Sequence, residues 1–370
     1  MKIGILTYHR ALNYGAFLQA FALKSFLESH NHHVTIIDYW PDEHACAYKP
    51  LFINPALTGI KRIKQTLYNL LRYRKYRKRT CKMDVLRAKY LDIPASPQFK
   101  KGQELANLNY DCVIYGSDQI WWRHSPFPTY PGFDPVFWGE YIPSSSKKIA
   151  YAASMGQMDI DSHDKDFIKN ALVHFNHISV REEGLRQLLQ PLTSKHILTT
   201  VDPTLLMGID FWKKYADAFI PKEKYVLLYN LNPSKAAEQL ARKKAQQLNC
   251  RYIEITGAVN PLKIGKEYKQ TVDAFEFITY IRHAEYVVTT SFHGTAFSII
   301  FEKPFCALGM GNNSSRVSSL LNQLHISQCL IDDHAEPSVI PINYQTVKNI
   351  LQQIVNPSQK FLLDAIENNN

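Results

Sequence analysis

The sequence predicts an α/β fold of two domains, each built on a parallel sheet, with a cleft between them. Short β-branched or aromatic runs alternate with stretches of helical periodicity, once over residues 1–207 and again over 222–340. The chain has 370 residues, enough for two domains of ordinary size, and two further helices are expected over 341–370. A composition 45% hydrophobic and 12% aromatic, with 15 glycines, belongs to a globular chain and not to a disordered one.

Taken in order, Lys2 to Tyr8 is the first strand and Ala11 to Gly15 a loop. A helix follows whose Phe17, Ala20, Phe21, Leu23 and Leu27 share one broad face, and Val34 to Tyr39 is the second strand. Only Gly15 marks the first turn, without a Gly-x-Gly-x-x-Gly, so a nicotinamide or flavin site is disfavoured. Asn13 is placed to cap the helix. It and the free N–H groups behind it offer a seat for a phosphate or carboxylate. His30, His32 and His33 read as solvated residues at the end of a surface helix.

The net charge of +10 has one source. Residues 61–82 hold ten Lys or Arg and no Asp or Glu, and the other 33 basic residues balance the 33 acidic ones. Helical spacing over 58–80 puts Ile60, Ile63, Leu67, Leu70 and Leu71 in one stripe beside that charge, with Tyr73 and Tyr76 among the arginines. Such a helix suits an anionic membrane face. No nucleic-acid motif accompanies it, so nucleic acid is not the expected partner. The bland reading is that the stripe packs on its own domain.

Asp111 to Tyr115 is a strand running into Gly116-Ser117-Asp118-Gln119-Ile120-Trp121. Asp118 at that edge is a base, a sugar-hydroxyl acceptor or a helix cap. Trp121, Trp122, Tyr130, Phe133, Phe137, Trp138 and Tyr141 form an aromatic loop that either stacks on a sugar ring or makes a small satellite core. Strands over Lys148 to Ser154 and His177 to Val180 follow, separated by a helix over 163–175. Arg181 stands at a strand's carboxyl end, before a helix over Glu182 to Leu189. Asp202-Pro203-Thr204 closes the first half, and Trp212 to Lys222 carries the linker. The second half repeats the alternation with strands at Tyr225 to Leu231 and Arg251 to Thr256 and helices at Ser234 to Leu248 and Ala274 to His283. Tyr286 to Thr289 is then a buried strand. Ser291 and Gly294 form a turn around Phe292 and His293, and Thr295 to Phe301 is a helix. His293 thus falls at a strand-to-helix turn, where open α/β sheets bind ligands; the plain alternative is a histidine tying down a turn. Arg316 precedes one more apolar helix, and helices over 345–355 and near 359–367 end the chain.

The N-terminal MKIGILTY is too short for a signal segment, and no run approaches the ~18 apolar residues of a spanning helix, so a cytoplasmic protein is expected. The six cysteines lack any Cys-x-x-Cys pair and the fourteen histidines lack metal spacing, which predicts reduced thiols, no metal site and no cofactor.

Six segments together resemble the polysaccharide pyruvyl transferase family over roughly residues 10–330. They are NYGAFLQAFAL (13–23), YDCVIYGSDQIW (110–121), ISVREEGLRQLL (178–189), VDPTLL (201–206), TTSFHGTAFSIIFEKPF (289–305) and NNSSRVSSLL (312–321). The resemblance implies two Rossmann-like domains similar to GT-B glycosyltransferases, with the active site in the inter-domain cleft. It implies phosphoenolpyruvate as donor, a sugar of a surface polysaccharide or its lipid-linked precursor as acceptor, and a pyruvate ketal as product. On that reading His293 is the general acid, with Asp118 as a second catalytic group. Arg181, Arg316, Ser291, Phe292, Gly294, Asn13 and Gly15 surround the donor, while Ser117, Gln119 and Trp121 face the acceptor. Some members carry Arg-Leu-His where this chain has Ser291-Phe292-His293, so the cation at that place is absent or supplied from elsewhere. A nucleotide-sugar glycosyltransferase on the same scaffold is the alternative.

Overall fold

The computed structural model describes residues 1–124, 132–156, 158, 160–309, 314–332 and 341–367. Tyr130 of the aromatic loop, Asn312 and Asn313 of the last motif, and the boundary expected at residue 340 lie outside the described residues.

The first half is a six-stranded sheet in the order β2-β1-β3-β4-β5-β6, every pair parallel. Its strands are β1 (Lys2–Leu6), β2 (His33–Ile36), β3 (Cys112–Gly116), β4 (Lys147–Ala153), β5 (His177–Val180) and β6 (Ile197–Thr199). The second half is a six-stranded sheet in the order β12-β11-β10-β7-β8-β9, again all parallel. It holds β7 (Tyr225–Asn230), β8 (Arg251–Thr256), β9 (Tyr268–Lys269), β10 (Tyr286–Thr289), β11 (Phe305–Leu308) and β12 (Leu330–Ile331). Both halves are α/β with parallel sheets, as the sequence predicts. The central strands read as continuous apolar runs because helices cover both faces; β3 and β7 are buried at every position.

The helix after β1, α1 (Tyr14–Ser29), departs from the amphipathic surface helix expected. It is buried nearly all round, because it is wedged between the two halves. Tyr14 stacks on Phe277 at 5.0 Å and Phe17 meets Phe275 edge-on at 5.7 Å, both from α9 (Ala274–Arg282) of the second half. After β2 come α2 (Asp42–Ala47) and α3 (Gly59–Tyr90), which runs well past the expected end at residue 80. The first half continues with α4 (Ser162–Leu172), α5 (Glu183–Leu189) and α6 (Pro203–Leu206), and α7 (Ile209–Lys213) leads out of it. The segment read as a linker begins in core: Trp212 is fully buried and donates from Nε1 to the Thr204 carbonyl at 2.9 Å.

The second half adds α8 (Lys235–Gln247), α10 (Phe292–Ile300) and α11 (Ser314–Gln323). The two helices expected at the C-terminus are one, α12 (Tyr344–Glu367), which carries Pro357 inside it. It returns to the first half, where Ser358 Oγ accepts from Val201 N at 3.1 Å and the Ile366 carbonyl accepts from Lys147 Nζ at 2.8 Å. Packing on the first half's sheet holds this helix together through a proline that ordinarily breaks one.

Candidate active site

The carboxyl ends of both sheets turn toward one crevice, where an open α/β sheet offers its loops to ligands. A pocket of about 240 Å3 there is lined by Asn13, Asp118 and Gln119 from the first half and by Leu231, Asn232, Thr290, Ser291, Phe292, His293 and Arg316 from the second. A smaller recess behind it is lined by Arg181, Asp202, Phe292 and Arg316 among others, so Phe292 and Arg316 border both.

Helix α10 starts at Phe292, three residues before its apolar run suggests. Ser291 is its extended N-cap residue, with no side-chain cap bond, which places Phe292 and His293 in the first turn. Gly294 is therefore helical and not a turn former. A Cβ there would stand 2.1 Å from Thr289 Oγ1, so the glycine lets the helix start close against β10. Asn13 caps α1 as predicted, its Oδ1 accepting from Gly15 N at 2.9 Å. Two helix starts thus point into one crevice, and each brings unpaired N–H groups and a positive dipole end.

His293 is buried, with Nε2 3.7 Å from Asp202 Oδ2, longer than a hydrogen bond. That nitrogen is buried without a hydrogen-bond partner. Asp202, fully buried at the start of α6, is the residue the sequence reading left out of the site. Its Oδ1 accepts from Thr204 N at 2.9 Å and Thr204 Oγ1 at 2.7 Å, and its Oδ2 accepts from Ser117 Oγ at 3.1 Å. Arg181 approaches the same Oδ2 at 3.1 Å. Burial alone would raise the Asp202 carboxyl; the charge of Arg181, then the His293 ring and Thr204, outweigh it and hold it well below the carboxylate range. The ionised Asp202 faces the His293 ring across this gap, with no hydrogen bond between them.

Arg181 spends Nη2 on Asp202, on Ser117 Oγ at 2.9 Å and on the Ser117 carbonyl. Its Nε and Nη1 are buried with no acceptor, and its guanidinium lies 4.9 Å from the centre of the Phe292 ring. Arg316, half-buried on α11, has a buried Nε that is likewise unpaired. Burial first, and then the like charge of Arg181, hold its guanidinium below the ordinary value. Glu182 sits in the same group, accepting from Ser154 Oγ at 2.7 Å with its other oxygen unpaired. Burial pushes its carboxyl up, against the opposing charge of Arg181.

The expected acceptor residues divide. Gln119 lines the pocket, and Asp118 lines it while accepting from Gln119 N at 2.8 Å. Ser117 is fully buried against Arg181 and Asp202 and supports the site from behind. Trp121 does not reach the crevice. It is fully buried, stacked on Trp138 at 4.5 Å, and donates to the Phe137 carbonyl at 3.0 Å. The aromatic loop around it is core, with Phe133, Phe137 and Trp138 buried and Trp122 exposed.

Among solved structures, the chain is similar to the heptosyltransferase WaaC of E. coli with ADP, at 10% identity over 95% of this chain and 99% of that one (TM-score 0.39). It is similar to the UDP-GlcNAc 2-epimerase of Neisseria meningitidis bound to UDP-GlcNAc, at 10% identity over 99% of both chains (TM-score 0.46). A third likeness is to MnaA of S. aureus with UDP, at 14% identity over 99% of this chain and 96% of that one (TM-score 0.46). Among curated proteins, none matches. The family model described as polysaccharide pyruvyl transferase matches residues 13–312, a span that takes in Asn13, Gly15, Arg181, Asp202 and His293 and stops just short of Arg316. With four-fifths of its length inside that match, the chain belongs to the polysaccharide pyruvyl transferase family.

Proposed function

We propose that the protein transfers the enolpyruvyl group of phosphoenolpyruvate to a sugar of a surface polysaccharide, or of its lipid-linked precursor at the cytoplasmic face, and closes it as a pyruvate ketal. The observation that carries this reading is a pair of arginines, Arg181 and Arg316, that flank Phe292 and hold buried guanidinium nitrogens without an acceptor. Two like charges with unmet donors call for an anion, and phosphoenolpyruvate offers a carboxylate and a phosphate. They supply the cation that Ser291 does not.

In this reading protonated His293 gives its proton to the vinyl methylene carbon. One sugar hydroxyl attacks the adjacent cationic carbon and passes its proton to Asp118. The carbon–oxygen bond to phosphorus breaks and phosphate leaves. The second hydroxyl then adds to the same carbon and closes the ketal. Asp118 hands its proton to the departing phosphate and the second hydroxyl's proton restores His293, so donor plus diol gives ketal plus phosphate. Asp202 and the N-termini of α1 and α10 favour charge where the reaction develops it. A pocket of about 240 Å3 lies under the usual 300–1,000 Å3 of drug-sized ligand sites, which favours this compact donor over a nucleotide sugar. A crystal soaked in phosphoenolpyruvate tests it. Density for the donor between His293 and Arg316 is expected, and binding elsewhere overturns the assignment.

A further inference from the structure

Helix α3 is fastened to the body by the side opposite its apolar stripe. Tyr68 donates to the Val259 carbonyl at 3.3 Å, Asn69 to Phe52 at 2.7 Å, and Arg79 to the carbonyls of Leu12 at 3.1 Å and Thr256 at 3.2 Å. At 3.6 residues per turn, the stripe lies roughly 150° around the helix from this inner side. The packing of the stripe on its own domain, the bland expectation, is not what the structure has. Ile60, Ile63, Leu67, Leu70 and Leu71 are each between 57% and 71% exposed. The loop that Tyr68 holds carries two more outward aliphatics, Leu262 and Ile264, at 76% and 80% exposed.

Charge is sorted the same way. Arg79 and Lys82 are spent inward, Lys82 on Glu276 at 2.6 Å. Lys61, Arg62 and Lys64 border the stripe, and Arg74, Lys75, Arg77 and Lys78 extend the free side beyond it; all seven are exposed and, among the described residues, none is paired with a carboxylate. Exposed aliphatics along about 17 Å of helix, rimmed by unpaired cations, form a contiguous apolar patch of the kind soluble surfaces rarely leave open. No described helix is long and apolar enough to cross a membrane, so the patch meets a surface and does not span it.

We propose that this free face of α3 docks on an anionic lipid bilayer. The cations meet phosphate headgroups and the aliphatics sink to the acyl boundary. Because Arg79 also grips Leu12, the residue before the Asn13 cap, the docked face is tied to the loop that enters the crevice. The inference does not depend on which donor the crevice takes.

The test is vesicle flotation of the full chain. The parent is expected to float with phosphatidylglycerol-rich vesicles at about 50 mM salt, far less at about 500 mM, and not with phosphatidylcholine alone. Replacing Arg74, Lys75, Arg77 and Lys78 by Glu should lower partitioning by about two to three orders of magnitude. A second variant, Ile63→Ser with Leu67→Ser and Leu71→Ser, should still be drawn to the vesicles at low salt but lose roughly tenfold or more in partitioning. Both variants alter exposed residues outside the crevice, so melting temperature and turnover on a soluble acceptor should match the parent. Indifference of the parent to anionic vesicles, equal binding to neutral ones, or parent-like flotation of both variants overturns the proposal. So does a parent dimer that the serine variant turns into a monomer, since the face would then be an interface between copies. RNA binding that survives the serine substitutions, with no flotation, also overturns it.

Discussion

The His293 ring rests on the α-carbon of Gly15, so close that a Cβ at residue 15 would stand 2.0 Å from Nδ1. The two residues lie in different halves of the chain, and their contact sets how near the two sheets approach at the crevice. Glycine is needed at 15 for this approach and not for a left-handed backbone.

Gly15→Ala must therefore move the ring or α1. We expect a loss of about 1–3 kcal/mol in stability from overpacking and at least ~100-fold in turnover from a displaced His293. Thermal melts and steady-state rates on the same preparation check this. A variant with parent-like rate and melting temperature would show that the two halves separate more readily than the contact implies.

Asp202→Asn leaves Arg181 without its carboxylate and should cost about 3–5 kcal/mol at neutral pH. The folded Asp202 carboxyl titrates below its unfolded value of about 3.9. Its contribution is therefore complete above that pH and is lost as pH falls through the folded value. The gap between parent and variant should narrow as unfolding is measured from about pH 5 to pH 3. An equal gap across that range would mean that Asp202 is not the ionised partner of Arg181.

The arginines should separate in their effects. Arg181 holds Asp202 and Ser117, so Arg181→Ala should lose both stability and donor affinity, and Arg181→Lys should lose almost as much affinity because an ammonium cannot reproduce the fork. Arg316 has no carboxylate within ion-pair distance among the described residues, so Arg316→Ala should raise the donor KM about tenfold or more with little change in melting temperature. Donor affinity unchanged in both alanine variants would remove the anion site.

Much of the architecture was legible because parallel strands write themselves as apolar runs between helical stretches, as at β3, β7 and β10. Arg181 was legible as a candidate because it directly follows a strand, and His293 because it falls at a strand-to-helix turn. Asp202 was not. It stood in the quoted VDPTLL segment, but its meaning lies in a neighbour 91 positions away, and its only local signal was an Asp before Pro-Thr, the mark of a helix cap. Trp121 failed for the opposite reason: an aromatic beside Gly-Ser-Asp looks like a sugar platform, and only tertiary packing shows Trp138 lying across it. The buried all-round character of α1 needed the second half to be seen, since Phe17 and Tyr14 cover residues beyond 270.

If Trp121 is core, Trp121→Ala should cost about 3–5 kcal/mol in urea unfolding. In protein that remains folded, the acceptor KM should stay near the parent's. A stable variant with a raised acceptor KM would return this residue to the acceptor site.

The central claim is that the crevice takes phosphoenolpyruvate against His293 and the two arginines. The most direct measurement is the melting temperature of the full chain titrated with phosphoenolpyruvate and, separately, with nucleotide sugars. At about 100 times Kd the true donor contributes about 2.7 kcal/mol, which raises the melting temperature by a few degrees in a chain of this size. The account predicts that phosphoenolpyruvate gives this rise in the parent and about half of it or less in Arg316→Ala at the same concentration, that nucleotide sugars give none, and that His293→Gln keeps the fold while turnover falls by about two to four orders of magnitude. A rise with a nucleotide sugar and none with phosphoenolpyruvate would contradict it.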